Sequence, residues 1–262
     1  MNTSQAFFTA FVPHLVGITL CALRILPITL LCPLLGGLAL TSTVRLSVTL
    51  ALAGSLHFNG ATIPPDTAVE LMTFVVAGGK ELLLGTLLGF LSALPFDAAR
   101  MAGRFIDTFR GASAEVALPL VGSREAITGE LLHQLLLVGA VVSGAMGDFI
   151  RALWVSFAAL PVGSWTDSAL SVDLAIHAMS TAFALSFVIG APVACVALLI
   201  DAGLAMAARL APRMSIHELA PGLSLLAGAG LLFLAVDTLS GQLLSHLQAV
   251  PAHFSGLARS TP

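Results

Sequence analysis

Long apolar stretches separated by short polar ones run the length of this chain. Six segments stand out, at roughly residues 8–30, 34–58, 69–94, 131–153, 174–210 and 219–247. Continuous apolar runs of this length predict helices, because a backbone in lipid must satisfy its own hydrogen bonds. A crossing takes about 20 residues, so the fifth segment is too long for a simple one, and Pro192 predicts a kink in it. Pro13 and Pro27 interrupt the first segment. Residues 59–66, with Asn-Gly and Pro-Pro, and residues 161–173, with Gly163, Ser164 and two Asp, read as turns. The tail, 248–262, is polar.

The connection between segments three and four differs from the others. Residues 95–125 hold 8 of the chain's 25 charges. Asp97, Arg100, Arg104 and Asp107 recur at i, i+3, i+7 and i+10, which draws one polar stripe along a helix over 95–110, with Asp and Arg three residues apart. Ala98, Met101, Phe105, Ile106 and Phe109 cover most of the remainder. Such a helix lies at an interface, lines a polar passage or presents a solvated face. The following GASAEVALPLVGS is rich in small residues, with Gly111, Pro119 and Gly122 as breakers. At membrane depth a loop of this kind exists only inside protein or beside water. The expected fold is an all-α membrane protein: about six apolar helical segments, an amphipathic helix, and a re-entrant or plug-like loop between segments three and four, in one domain over residues 1–262.

The third segment carries two further features. Gly78, Gly85 and Gly89 lie near one face, and Gly85 to Gly89 forms a GxxxG, which admits another backbone closely. That face serves either plain helix packing or a subunit contact. Lys80 and Glu81 each cost about 2.5–3.5 kcal/mol near a bilayer centre. Adjacent helical positions point about 100° apart, so the two side chains are expected to seek partners on other helices or chains, or to reach an interface.

Composition then excludes several functions. Charged residues make 10% of the chain, hydrophobic ones 57%, and mean hydropathy is +0.99, against about 25% charged in soluble domains. The surface must face lipid or other chains. A net charge of −3 supplies no basic field for nucleic acid. Cys21, Cys32 and Cys195 lie apart in apolar stretches, without the spacing of a metal site or disulfide framework, and no cofactor is expected. No Lys or Arg precedes Arg24, so the first segment reads as a retained helix rather than a signal peptide. With six crossings and the N-terminus outside, the inner side receives Arg24, Arg45, Arg100, Arg104, Arg110, Arg124, Arg209 and Arg213. The outer side receives Arg151 and Arg259, and this asymmetry favours that orientation.

Glu81-x3-Gly85-x3-Gly89-Phe90, Leu94-Pro95-Phe96, Ala102-Gly103, Ile106-Asp107 and Arg110-Gly111-Ala112-Ser113 resemble the SctT family of type III secretion export-apparatus subunits, whose flagellar counterpart is FliR. Ala208-Arg209-Leu210-Ala211-Pro212 is similar to the family's Arg-x-x-Pro segment. Ser156-Phe157 with Leu160-Pro161-Val162-Gly163 is similar to its Ser-Phe…Leu-Pro-x-Gly stretch. The resemblance covers residues 10–245 and departs at Arg213, Met214 and Ser215, where Gln, a small apolar residue and Asn are usual, and at His217. The tetrapeptide Arg-Gly-Ala-Ser leans toward the injectisome branch.

The resemblance implies a bacterial inner-membrane subunit without catalytic residues. It would build an export gate with SctR-like and SctS-like subunits, beside an SctU-like switch subunit, and pass unfolded proteins. It implies a pore plug over Arg110, Gly111, Ala112, Ser113, Ala114, Glu115, Val116, Ala117, Leu118 and Pro119. Subunit packing would fall to Lys80, Glu81, Gly85 and Gly89, and Arg209 with Pro212 would mark the cytoplasmic side. Two other classes compete. A secondary transporter would use Asp97, Asp107, Asp201 and Asp237, but the chain shows no repeated halves. An intramembrane protease would use Ser113 or Ser143 with one of seven histidines, but neither a GxSxG nor a metal-spaced His pair occurs.

Overall fold

A computed structural model describes residues 3–59, 71–109, 115–117, 124–162 and 172–210, together with positions 230, 241, 245, 248 and 250. Helix α1 (Thr3–Leu31) is followed by two 3₁₀ turns, Pro33–Leu35 and Gly37–Ala39, and by α2 (Ser42–Phe58). Then come α3 (Leu71–Phe109), strands β1 (Glu115–Ala117) and β2 (Arg124–Ala126), and helices α4 (Ile127–Val142), α5 (Ala145–Ala159) and α6 (Val172–Leu210). The expected all-helical membrane architecture is present. The two short strands add a small antiparallel ribbon with Val116 opposite Glu125.

The helix ends differ from the apolar runs for physical reasons. Pro13 and Pro27 lie inside α1, Pro95 inside α3 and Pro192 inside α6. Without water to take up freed backbone groups, continuing a helix past proline is the cheaper course in lipid. The third apolar segment and the amphipathic helix therefore form one helix of 39 residues. Segment two opens with the 3₁₀ turns and leaves a helix of only 17 residues. Segment four is broken at Gly144, whose φ of 80° suits glycine and starts α5. Among the described residues, Phe11–Leu31, Met72–Thr108 and Ala175–Ala207 are long and apolar enough to cross a bilayer, four spans if α4 and α5 together make one. Segment six lies outside the described residues apart from positions 230, 241 and 245.

The chain divides into two structural units. The first comprises Met1–Ala93, Gly144–Ile176 and Gln248–Pro262; the second comprises Leu94–Ser143 and His177–Leu247. In the first, α2 runs antiparallel to α1. His14 meets His57 at 3.0 Å and Thr29 meets Thr49 at 3.1 Å. The first half of α3 follows α1 in the same direction, with Gly78 at Leu20 and Leu23, Gly85 at the Arg24 backbone and Gly89 at Pro27 and Ile28. Ile25, Ile28, Leu84, Leu88 and Leu91 are buried between these helices.

In the second unit, the end of α3 and the start of α4 form an antiparallel helical hairpin. Phe96 meets His133, Arg100 meets Glu130, Gly103 meets Gly129 and Asp107 meets Thr128. Gly190 brings α6 against Ala102 and Phe105, and Phe105 stands edge-on to Phe187.

A β-carbon on Gly85 would run into the Arg24 carbonyl, whereas one on Gly79 would meet nothing within 4 Å. Gly85→Ala is expected to lower stability by about 1–3 kcal/mol through the forced separation of α1 and α3. Gly79→Ala should be neutral or gain up to about 1 kcal/mol of helix propensity. Thermal melting in detergent separates the two; indistinguishable melting temperatures would overturn the assigned contact.

Candidate functional site

Two polar constellations sit inside this apolar chain. The first is built on Arg24, two turns before the end of α1, which is 0% exposed. Its Nε donates to Glu81 Oε2 at 2.5 Å. Its Nη1 donates to the carbonyl of Leu160 at 2.9 Å and, more weakly, to that of Ser156 at 3.4 Å. The Phe157 ring lies 4.3 Å from the guanidinium carbon. Leu160 caps the C-terminus of α5, and its N–H already bonds the Ser156 carbonyl, so the cation reaches the Leu160 carbonyl and meets the negative end of the helix dipole. One guanidinium thus joins α1, α3 and the end of α5, with a carboxylate, carbonyls and an aromatic face as partners.

Lys80, next to Glu81, points elsewhere, as the helical angle requires. It is half-buried and lines a cavity of about 270 Å³ with Met72, Thr73, Val76 and Ala77. The partner of Glu81 comes from another helix of the same chain. The small-residue face around Gly85 and Gly89, for which plain helix packing and a subunit contact were both open, lies against this chain's own α1.

The second constellation is the polar seam between α3 and α4. Of the stripe, Asp97 and Arg104 are exposed, Arg100 is half-buried and Asp107 is buried. Asp107 accepts the Thr128 N–H on Oδ2 at 2.9 Å and the Thr128 hydroxyl on Oδ1. Thr128 is the second residue of α4, so the carboxylate caps that helix from across the hairpin and sits at its positive end. Two turns back along α3, Arg100 Nη2 lies 3.8 Å from the Glu130 carboxylate, which also accepts the Gln134 amide at 2.6 Å. His133 is buried edge-on to Phe96.

Of the plug residues, Glu115, Val116 and Ala117 form β1. Arg110, Gly111, Ala112, Ser113, Ala114, Leu118 and Pro119 lie outside the described residues, as do Pro212 and Asp237. Arg209 is exposed in the last turn of α6, and the side chain of Asp201 is outside the described set. The Ser143 hydroxyl donates to the Ala140 carbonyl at 3.3 Å. Among the described residues no three His, Cys, Asp or Glu side chains converge as metal ligands would.

The sequence reasoning missed Arg24, Thr128 and Glu130. Arg24 entered it as the first basic residue and as an inner-side charge, but not, inside α1, as one half of a buried ion pair with Glu81. The available signal was a lone arginine inside an apolar run, which demands an acidic partner at similar depth. Arg45 donates to the Gly37 and Leu40 carbonyls at the turn before α2.

Comparison with known proteins extends over both constellations. The profile of one family, bacterial export proteins, family 1, matches residues 15–250. The Yop proteins translocation protein T of Yersinia pestis is 31% identical over 190 residues, 71% of each chain. The flagellar biosynthetic protein FliR of Aquifex aeolicus is 26% identical over 238 residues, 89% of this chain and 90% of that one. The surface presentation of antigens protein SpaR of Shigella flexneri is 25% identical over 219 residues, 82% and 83% of the two chains.

Breaking the buried pair from one side should cost far more than removing it whole. Arg24→Met strands Glu81 in an apolar interior, an expected loss of about 3–5 kcal/mol. Arg24→Met with Glu81→Leu should recover most of that loss. Melting of the two variants in detergent tests this; a double variant no more stable than the single one would refute the coupling.

Proposed function

The chain belongs to the bacterial export proteins, family 1, the SctT-type subunits of type III secretion and their flagellar relatives, and on that premise we propose that it forms part of the wall of an export gate for unfolded proteins. Its role is that of a structural subunit of a secretion apparatus in a bacterial membrane. The specific reading is a pore in the inner membrane, assembled with SctR-like and SctS-like subunits and next to an SctU-like one.

The observation that carries this reading is helix length. Helices α3 and α6 each have 39 residues, about 58 Å at the usual helical rise. A bilayer's hydrocarbon core is about 30 Å thick. Even a tilt of about 40°, the upper end for membrane helices, would leave such a helix spanning about 44 Å. The excess length of α3 carries the polar stripe of Asp97, Arg100, Arg104 and Asp107, and both helices expose large apolar side chains, Met72, Val75 and Val76 on α3 and Leu198, Leu199, Met206 and Leu210 on α6. Surface of that kind calls for neighbouring protein chains as well as lipid.

Within the assembly, residues 110–119 seal the resting pore at the tip of the α3–α4 hairpin. Lys80 faces a partner subunit, and Arg209 with Pro212 lies on the cytoplasmic side. The N-terminus is outside before assembly. No catalytic step is assigned, because a gate works by making and releasing a seal. The injectisome is the favoured system, on the Arg110-Gly111-Ala112-Ser113 sequence. The flagellar apparatus is the second reading, since the FliR relative aligns over more of the chain.

A mild-detergent purification of the tagged chain from its native cells, with mass spectrometry, should recover two other small polytopic membrane subunits. Recovery of a stable, monodisperse chain alone would overturn the gate reading. Deleting residues 112–118 should leave assembly intact and raise leakage of a small dye several-fold; an unchanged leak would remove the plug.

A further inference from the structure

We propose that Asp107 is the positioning residue that holds the root of the α3–α4 hairpin and with it the direction of the β1–β2 ribbon. The inference rests on the gate reading and deepens it by assigning the residue that sets the seal. Asp107 and Thr128 are each 4% exposed. They join by two hydrogen bonds, to the main-chain N–H and to the side-chain hydroxyl, across 21 residues of sequence. The acceptor is a carboxylate at a helix N-terminus, where charge-assisted bonding and the helix dipole act together.

Position gives this contact its leverage. Strand β2 ends at Ala126 and α4 begins at Ile127, so a single residue separates the ribbon from Thr128. The direction in which β2 leaves α4 is therefore set at the capped turn. Below it, Gly103 and Gly129 touch backbone to backbone, and Arg100 pairs with Glu130. The glycine contact holds the two helices together there, and the capped turn fixes how the chain leaves them. The ribbon has only three residue pairs, too few to hold a fixed orientation alone. Asp107 thus does for the ribbon what its own ladder cannot.

The test uses the full chain in native cells carrying the export apparatus. Three variants are compared: Asp107→Asn, which keeps the shape and loses the charge; Thr128→Val, which loses the hydroxyl; and Thr128→Ser, which keeps it. Each is scored for recovery with the apparatus and for dye leakage in the absence of secreted substrate. Asp107→Asn and Thr128→Val should assemble and leak roughly tenfold more, the scale set by one charged hydrogen bond. Thr128→Ser should remain near the parent level. Normal leakage in the assembled Asp107→Asn and Thr128→Val variants overturns the proposal. If the 112–118 deletion leaks while these do not, the gate reading survives and Asp107 alone fails. Silence in all of them removes both. Equal loss of assembly in Thr128→Val and Thr128→Ser would make the contact one of folding only and would also overturn the proposal.

Discussion

Lipid offers helices no hydrophobic reason to pair, so this chain is held by close backbone approach and by polar groups that must find one another. Both devices occur at the same places. Gly85 brings α3 against the backbone of Arg24, and the side chain of Arg24 reaches Glu81 one turn earlier on α3. Gly103 and Gly129 touch between the Arg100–Glu130 and Asp107–Thr128 contacts. The glycines let the polar partners come within bonding distance. The polar partners select one register from the many that smooth apolar faces would allow.

The two constellations differ in kind. Arg24 and Glu81 are sealed from solvent on all sides, with a 2.5 Å contact, so opening that site would expose an unpaired charge to an apolar interior. The Arg100–Glu130 pair is partly exposed and separated by 3.8 Å, a loose contact that can be remade at little cost. The chain therefore has a stiff polar site built into its first unit and a more yielding one in its second. The yielding one lies inside the α3–α4 hairpin.

Much of the fold was legible because an apolar run in lipid has few options other than a helix. Helix ends were less so. Proline normally ends a helix in water, but Pro95 is carried through α3 because lipid penalises the broken alternative more. Gly144 looked like any glycine in an apolar run, and only its left-handed backbone reveals the break. The stripe Asp97, Arg100, Arg104 and Asp107 was legible from spacing. Its partners Glu130 and Thr128 were not, since they arrive from the far side of a connection whose path no local pattern encodes. Arg24 was visible but was counted as an inner-side charge, because topology counting has no place for an arginine neutralised inside a helix.

The Arg24–Glu81 pair also links folding to the pace of protein synthesis. Its partners are 57 residues apart, so at about 5–20 residues per second the ribosome delivers Glu81 roughly 3–11 s after Arg24. Until Glu81 follows, the Arg24 guanidinium lacks the carboxylate that neutralises it in the finished chain. The residence of α1 in the bilayer then depends on the arrival of a helix not yet made. The pace of translation between residues 24 and 81 thereby enters the folding problem, because each pause there lengthens the time for which the guanidinium stays unpaired.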